Sequence, residues 1–139
     1  MTDFTTYVDH TPITRSGGAN AAGYPMVTVF ENTFYAAQRH LEAGDTAEVL
    51  KLPAGSYVLG VFVHVLTPES TATTTINIGD DDGDTTWATA AGVSAEGRIK
   101  GAGTAKFYAT GDTLHIHMPA EKAVEDAVIR VVAVVAAIG

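Results

Sequence analysis

The chain has 139 residues, 16 acidic against 8 basic for a formal net charge of −8, and no cysteine. That length suits one domain, which buries roughly 68–70% of its unfolded surface and needs no staples to hold a core. The missing cysteines exclude disulfides, thiolate metal sites and cysteine nucleophiles, and the acidic balance argues against a nucleic-acid partner, whose phosphates are met by Lys and Arg.

The opening MTDFTTYVDH has neither the basic nor the apolar stretch of a secretory signal. Residues 1–25 carry Pro12, Pro25 and a run of Ser, Gly, Ala and Asn from Ser16 to Gly23. Such small side chains build no core, so the segment reads as an extended N-terminal arm ahead of a single domain spanning 26–139. For an isolated monomer the same composition describes a disordered tail. In an assembly an arm lies across a neighbour, with Phe4 and Tyr7 as its anchors.

Residues 26–37 alternate apolar and polar and fit two strands or one bent strand. A helical turn over 38–44 is stopped by Gly44-Asp45. Then come three strands in succession: 47–52, ended by Pro53-Ala54-Gly55; 57–66, apolar except for His64; and 73–78, where Thr and Asn alternate with Ile. An acidic turn follows. The Ala- and Gly-rich stretch 87–103 reads as a long loop or a short irregular strand. Residues 106–109 form a short strand, and 113–118 alternate Leu114, Ile116 and Met118 with His115 and His117. Residues 119–126 read as a loop. The run 127–138 spaces its apolar residues in a way that also allows a helix continuous with 121–126, but five valines and two isoleucines favour a buried strand. This run carries Arg130 and is shorter than the ~20 residues that cross a bilayer as a helix. The expectation is an all-β, antiparallel two-sheet sandwich, jelly-roll-like, with no membrane span.

Two patterns invite metal chemistry. Asp80, Asp82 and Asp84 around Gly83 suggest a calcium loop, but the glycine is misplaced and no closing Glu follows; a solvated Asp-Gly hairpin turn is the better reading. His115 and His117, two residues apart on a strand and followed by Glu121, are similar to the metal motif of cupins, themselves double-sheet barrels. The leading glycine is misspaced, and no histidine follows His117 to complete a second motif. With Leu114, Ile116 and Met118 facing the core, both histidines face outward, toward solvent or a subunit interface. His64, alone in an apolar strand, reads as a hydrogen-bonded or interface histidine. The serines lack a nucleophile-elbow context and the glutamates lie scattered, so neither catalytic residues nor a cofactor is expected.

The order of the words LPAG, an apolar strand, TTTINIGD, then GDTL and a valine-rich final strand resembles the jelly-roll head-decoration, or cement, proteins of tailed bacteriophages. That resemblance implies a virion protein made in the host cytoplasm. It would act without catalysis, as a homotrimer that binds the major capsid protein on the capsid exterior and stabilises the shell by mass action. Phe4, Tyr7, His64, His115 and His117 are then the candidate interface residues. A head-fibre or tail component of similar fold fits the same words, and a cupin-like metalloprotein using His115, His117 and Glu121 is the reading from another class.

Overall fold

A computed structural model describes residues 3–9, 26–71, 73–120 and 122–137, with residues 3–9, 26 and 137 described by backbone alone. The described chain is strands and turns: β1 (Asp3–Asp9), β2 (Met26–Tyr35), β3 (Thr46–Leu52), β4 (Ser56–Thr67), β5 (Thr75–Asp80), β6 (Gly83–Gly92), β7 (Gly97–Lys100), β8 (Lys106–Tyr108), β9 (Asp112–His117) and β10 (Val128–Ala137). They form two facing sheets. The first runs β1-β3-β9-β5-β6. The second runs β2-β10-β4-β7, with β8 also paired to β4. The protein is an all-β, jelly-roll-like sandwich. Every described pair is antiparallel except β1 with β3, which is parallel.

Period-two patterning supplies the core. Val58, Val61, Val63 and Val65 of β4 and Ile129, Val131, Ala133 and Val135 of β10 point inward, against Leu50, Leu52, Leu114, Ile116, Ile76 and Ile78 of the other sheet. The final apolar run is a strand, as its β-branched side chains dictate. It lies in the middle of its sheet, between β2 and β4. The stretch 26–35 is one strand rather than two. In β3 the register slips between Glu48 and Leu50, so Val49 and Leu50 are both buried, and Asn32 of the opposite sheet donates to the freed Val49 carbonyl at 2.8 Å. At Gly55 the backbone takes φ of +83°, the left-handed turn that Pro53-Ala54-Gly55 foretold.

The stretch 87–103, read as a long loop or a short irregular strand, holds two strands: most of β6, irregularly paired, and all of β7. Its Thr and Ala residues offer little apolar periodicity, because β6 is an edge strand held chiefly by its hairpin to β5. Trp87, Ala88 and Ala91 still face inward. The pairing is bulged, and Ala90 sits at a φ of +52°, where its N–H donates to Asn77 Oδ1 at 2.9 Å. Gly101 and Gly103 then pass directly over Trp87; a Cβ on Gly103 would stand 2.7 Å from the indole ring. The strand Asp3–Asp9 lies inside the stretch read as an arm; residues 10–25 lie outside the described residues.

Candidate interaction surface

The sandwich presents two outer faces of opposite character. On the β2-β10-β4 sheet, register sets the outward side chains into rows across the strands. One row is Val27, Ala136, Tyr57, Phe107; the next is Val29 and Val134; then Glu31, Val132, Phe62, Lys100; then Thr33, Arg130, His64, Arg98. Val27, Val29, Tyr35, Leu59 and Phe107 are the exposed large hydrophobics among the described residues, at 43–59% exposure. All five lie on this sheet. Four strands at about 4.8 Å spacing and ten residues at about 3.4 Å bound a sheet face of roughly 650 Å² in all, and the two apolar rows, with Val132 and Phe62 of the third, take about half of it. Apolar patches on ordinary monomers reach about 300–600 Å² and are often functional. The row through Arg130, His64 and Arg98 adds positive charge to one end of this face, in a chain of net charge −8.

The opposite sheet is polar outside, and at its β5–β6 end a buried polar cluster joins it to β8 of the facing sheet. Asp80, at the end of β5, is buried. Its Oδ2 accepts from Tyr108 Oη at 2.5 Å and from Lys106 Nζ at 2.8 Å, and its Oδ1 accepts from Thr86 Oγ1 and the Asp82 N–H, both at 2.9 Å. Trp87 Nε1 donates to Tyr108 Oη at 2.8 Å. Burial opposes the charge on Asp80, but Lys106, Tyr108, Thr86 and the Asp82 amide more than offset it, so the carboxyl lies below its ordinary value. Burial and then the bond to Asp80 push the Tyr108 hydroxyl up. Burial also disfavours the Lys106 charge, yet its bonds to Asp80 and Asp82 hold the ammonium above its ordinary value. The acidic turn is a hairpin, as read from Asp-Gly, but its first aspartate is not solvated. Lys106 Nζ, which is also 2.6 Å from Asp82 Oδ2, takes the position a cation would need.

His115 and His117 share the outer face of this same sheet and converge on one carboxylate. His115 Nε2 is 3.1 Å from Asp84 Oδ1 and His117 Nε2 is 3.5 Å from Asp84 Oδ2. The alternation holds, since Leu114, Ile116 and Met118 are fully buried. Even so His115 is only 8% exposed, because the β5–β6 hairpin folds Asp84 over it. Asn77 sets the tautomer of its neighbour. Its Oδ1 is taken by the Ala90 N–H, which turns its Nδ2 toward His117 Nδ1 at 3.4 Å. Nδ1 then accepts, and the ring proton lies on Nε2, facing Asp84. A metal would need that nitrogen's lone pair. Glu121, the proposed third ligand, lies outside the described residues, and no three His, Asp or Glu side chains among those described are placed to hold a metal ion. Added zinc is therefore expected to leave the unfolding midpoint unchanged. The double substitution H115A/H117A should cost about 1 kcal/mol by freeing an Asp84 that is half exposed. A midpoint raised by zinc in the unsubstituted protein and not in the variant would reverse this assignment.

The five sequence-derived interface residues do not form one surface. His64 lies in the cationic row of the apolar face, whereas His115 and His117 are on the other sheet. Phe4 and Tyr7 belong to β1 by backbone. Sequence reading missed Glu69. Its buried Oε1 accepts three consecutive backbone N–H groups, of Glu125, Asp126 and Ala127, at 2.9, 3.0 and 3.1 Å, and so fixes the entry into β10. Asp126 answers by accepting the Ser70 N–H at 2.9 Å, and the Ser70 hydroxyl, then this N–H, hold its carboxyl below the ordinary value.

No protein-family model matches the chain, and no curated protein sequence does. Three solved structures contain chains of similar fold. A chain of the cyanophage Pam1 capsid asymmetric unit is 24% identical with a TM-score of 0.63, the match covering 91% of this chain and 99% of that one. A chain of the Ralstonia phage GP4 capsid is 15% identical with a TM-score of 0.67, covering 96% of each. A chain of the acidic stable capsid structure of Helicobacter pylori bacteriophage KHP30 is 16% identical with a TM-score of 0.58, covering 79% and 86%. At these identities the likeness is one of fold.

Proposed function

We propose that the chain is a structural protein of a tailed-phage virion, a decoration or cement protein that binds the outside of the assembled capsid and stabilises it. The observation that carries this reading is the apolar part of the outer face of the β2-β10-β4 sheet, where Val27, Val29, Leu59 and Phe107, four of the five exposed large hydrophobics, gather at one end. The whole face, apolar rows and charged rows together, spans roughly 650 Å² and approaches the ~800 Å² that each partner of a stable complex contributes. The fold likeness to chains of three phage capsids supports the reading, because the matches run nearly end to end in two of the three. The charge of −8 suits a position away from packaged nucleic acid. The polar clusters around Asp80 and Asp84 are structural: the carboxylates and imidazoles in them hold the β5–β6 hairpin against β8 and β9.

On this reading the protein acts without catalysis. It is made in the host cytoplasm, joins as a homotrimer, and seats the apolar face on the major capsid protein. Arg98, His64 and Arg130 then select a capsid surface that carries carboxylates. Binding only to the assembled shell stabilises that shell by mass action, and three linked contacts gain from effective concentration. Replacing Val29 and Val132 by aspartate should weaken co-sedimentation with capsids by about 30-fold or more, the loss typical of central interface residues, and leave the circular dichroism spectrum unchanged. Charge reversal at Arg98 and Arg130 should weaken binding less and blunt its dependence on salt. Binding that survives both pairs of substitutions would remove this face as the capsid contact.

A further inference from the structure

β1 lies at the open edge of its sheet, and every register partner it has is on β3: Asp3 with Thr46, Phe4 with Ala47, Thr5 with Glu48, then, after a slip, Val8 with Leu50 and Asp9 with Lys51. It is the one parallel strand among the described pairs. β1 also approaches β2, so the edges of the two sheets lie side by side there. Joining them within one chain is a short step, and connections in compact domains commonly take about 4–6 residues. This chain has 16 between them, HTPITRSGGANAAGYP.

That length is a reach. Sixteen residues extend to at most about 53–58 Å. A domain of this size has a radius of gyration of about 14 Å, hence a diameter of roughly 37 Å. When extended, the linker spans more than one domain diameter, so the N-terminal strand can reach the β3 edge of an adjacent copy as well as its own. Ladder hydrogen bonds are the same whichever copy supplies the strand, so the choice falls to local concentration, which crowding on a surface raises.

We propose that in the assembled protein the β3 edge receives the N-terminal strand of a neighbouring copy, in the parallel register seen here within one chain. This rests on reading the chain as an assembling virion protein. Each copy donates one strand and accepts one, a head-to-tail contact that closes into a ring, and three copies complete the proposed trimer. The occupant is this chain's own residues 3–9, which complement the β3 edge strand for strand.

The absence of native cysteine makes the test clean. T5C and E48C are introduced into separate full-length chains, which are mixed, concentrated, oxidised and run on non-reducing gels, both free in solution and bound to capsids. A disulfide joining a T5C chain to an E48C chain, confirmed by mass spectrometry of the linked peptides, is the expected dominant product. D9C mixed with K51C repeats the test at a second point of the register and guards against a folding defect in the first pair. The doubly substituted T5C/E48C chain should give covalent oligomers. If the double variant closes only within its own chain, or no linkage forms at either point, the exchange is overturned. Co-sedimentation of the unsubstituted protein with capsids is scored separately, so failure of the virion reading and failure of the exchange are told apart.

Discussion

Replacing Asp80 by alanine should cost about 3–5 kcal/mol, the loss typical when one partner of a buried charged pair is removed. Its carboxylate is fully buried and takes four hydrogen bonds, from Tyr108, Lys106, Thr86 and the Asp82 amide. Truncation leaves the buried Tyr108 hydroxyl without its acceptor and Lys106 with Asp82 as its remaining carboxylate partner. For a domain of this size the melting temperature should fall by roughly 10–17 °C. The defect should be local as well as global, with faster amide exchange in β6 and β8 before the rest of the sandwich opens. The pH dependence is specific. The folded carboxyl titrates below its unfolded value of 3.8, so its stabilisation is complete above that pH and is lost as pH falls through the folded value. The stability gap between the native protein and D80N should therefore hold from neutral down to about pH 4 and then close. Tyr108 and Lys106, both raised in the fold, add an alkaline limb in which stability declines above about pH 10. A gap between native and D80N that stays constant below pH 3 in denaturant titrations would show that the charge on Asp80 contributes nothing.

Glu69 carries the second large effect. E69A should destabilise by about 3 kcal/mol, because three consecutive backbone N–H groups lose their shared acceptor while an orphaned buried donor costs about 1–3 kcal/mol. E69Q should recover most of this, since all three bonds go to Oε1 while Oε2 has no partner among the described residues. Equal losses in E69A and E69Q, measured by urea denaturation, would mean that charge rather than acceptor geometry holds the loop.

The strands were legible wherever one face met the core and the other did not. Leu114-His115-Ile116-His117-Met118 shows the alternation cleanly, and Pro53-Ala54-Gly55 announces its turn. β6 was not legible because an edge strand with Thr outward and Ala inward has almost no hydrophobic contrast; Trp87 alone marks it. The same locality limits the site. Asp80 and Lys106 stand 26 residues apart, and Glu69 meets its amides at a separation of 56–58, distances over which no spacing rule operates. Histidines two apart were correctly placed on one face, yet the carboxylate they share, Asp84, comes from a different strand. The apolar outer face was hidden for another reason. Val132 and Val134 in β10 read as interior residues because they alternate with other apolar residues, and a strand apolar on both faces looks the same whether neighbouring layers or neighbouring molecules cover it.

The placement of β10 also bears on how the protein is made. β2 finds its described ladder partner in β10, and the two are separated by roughly a hundred residues; pairing at such sequence distance is slow. At synthesis rates of about 5–20 residues per second, β2 waits on the ribosome for at least several seconds with its ladder groups unmatched. For that interval Val27 and Val29, and the strand's bare edge, are available to any chaperone or sister chain nearby. The sheet that carries the proposed capsid-binding face is thus completed last, which ties the surface to a finished fold and makes the nascent chain dependent on protection until β10 arrives.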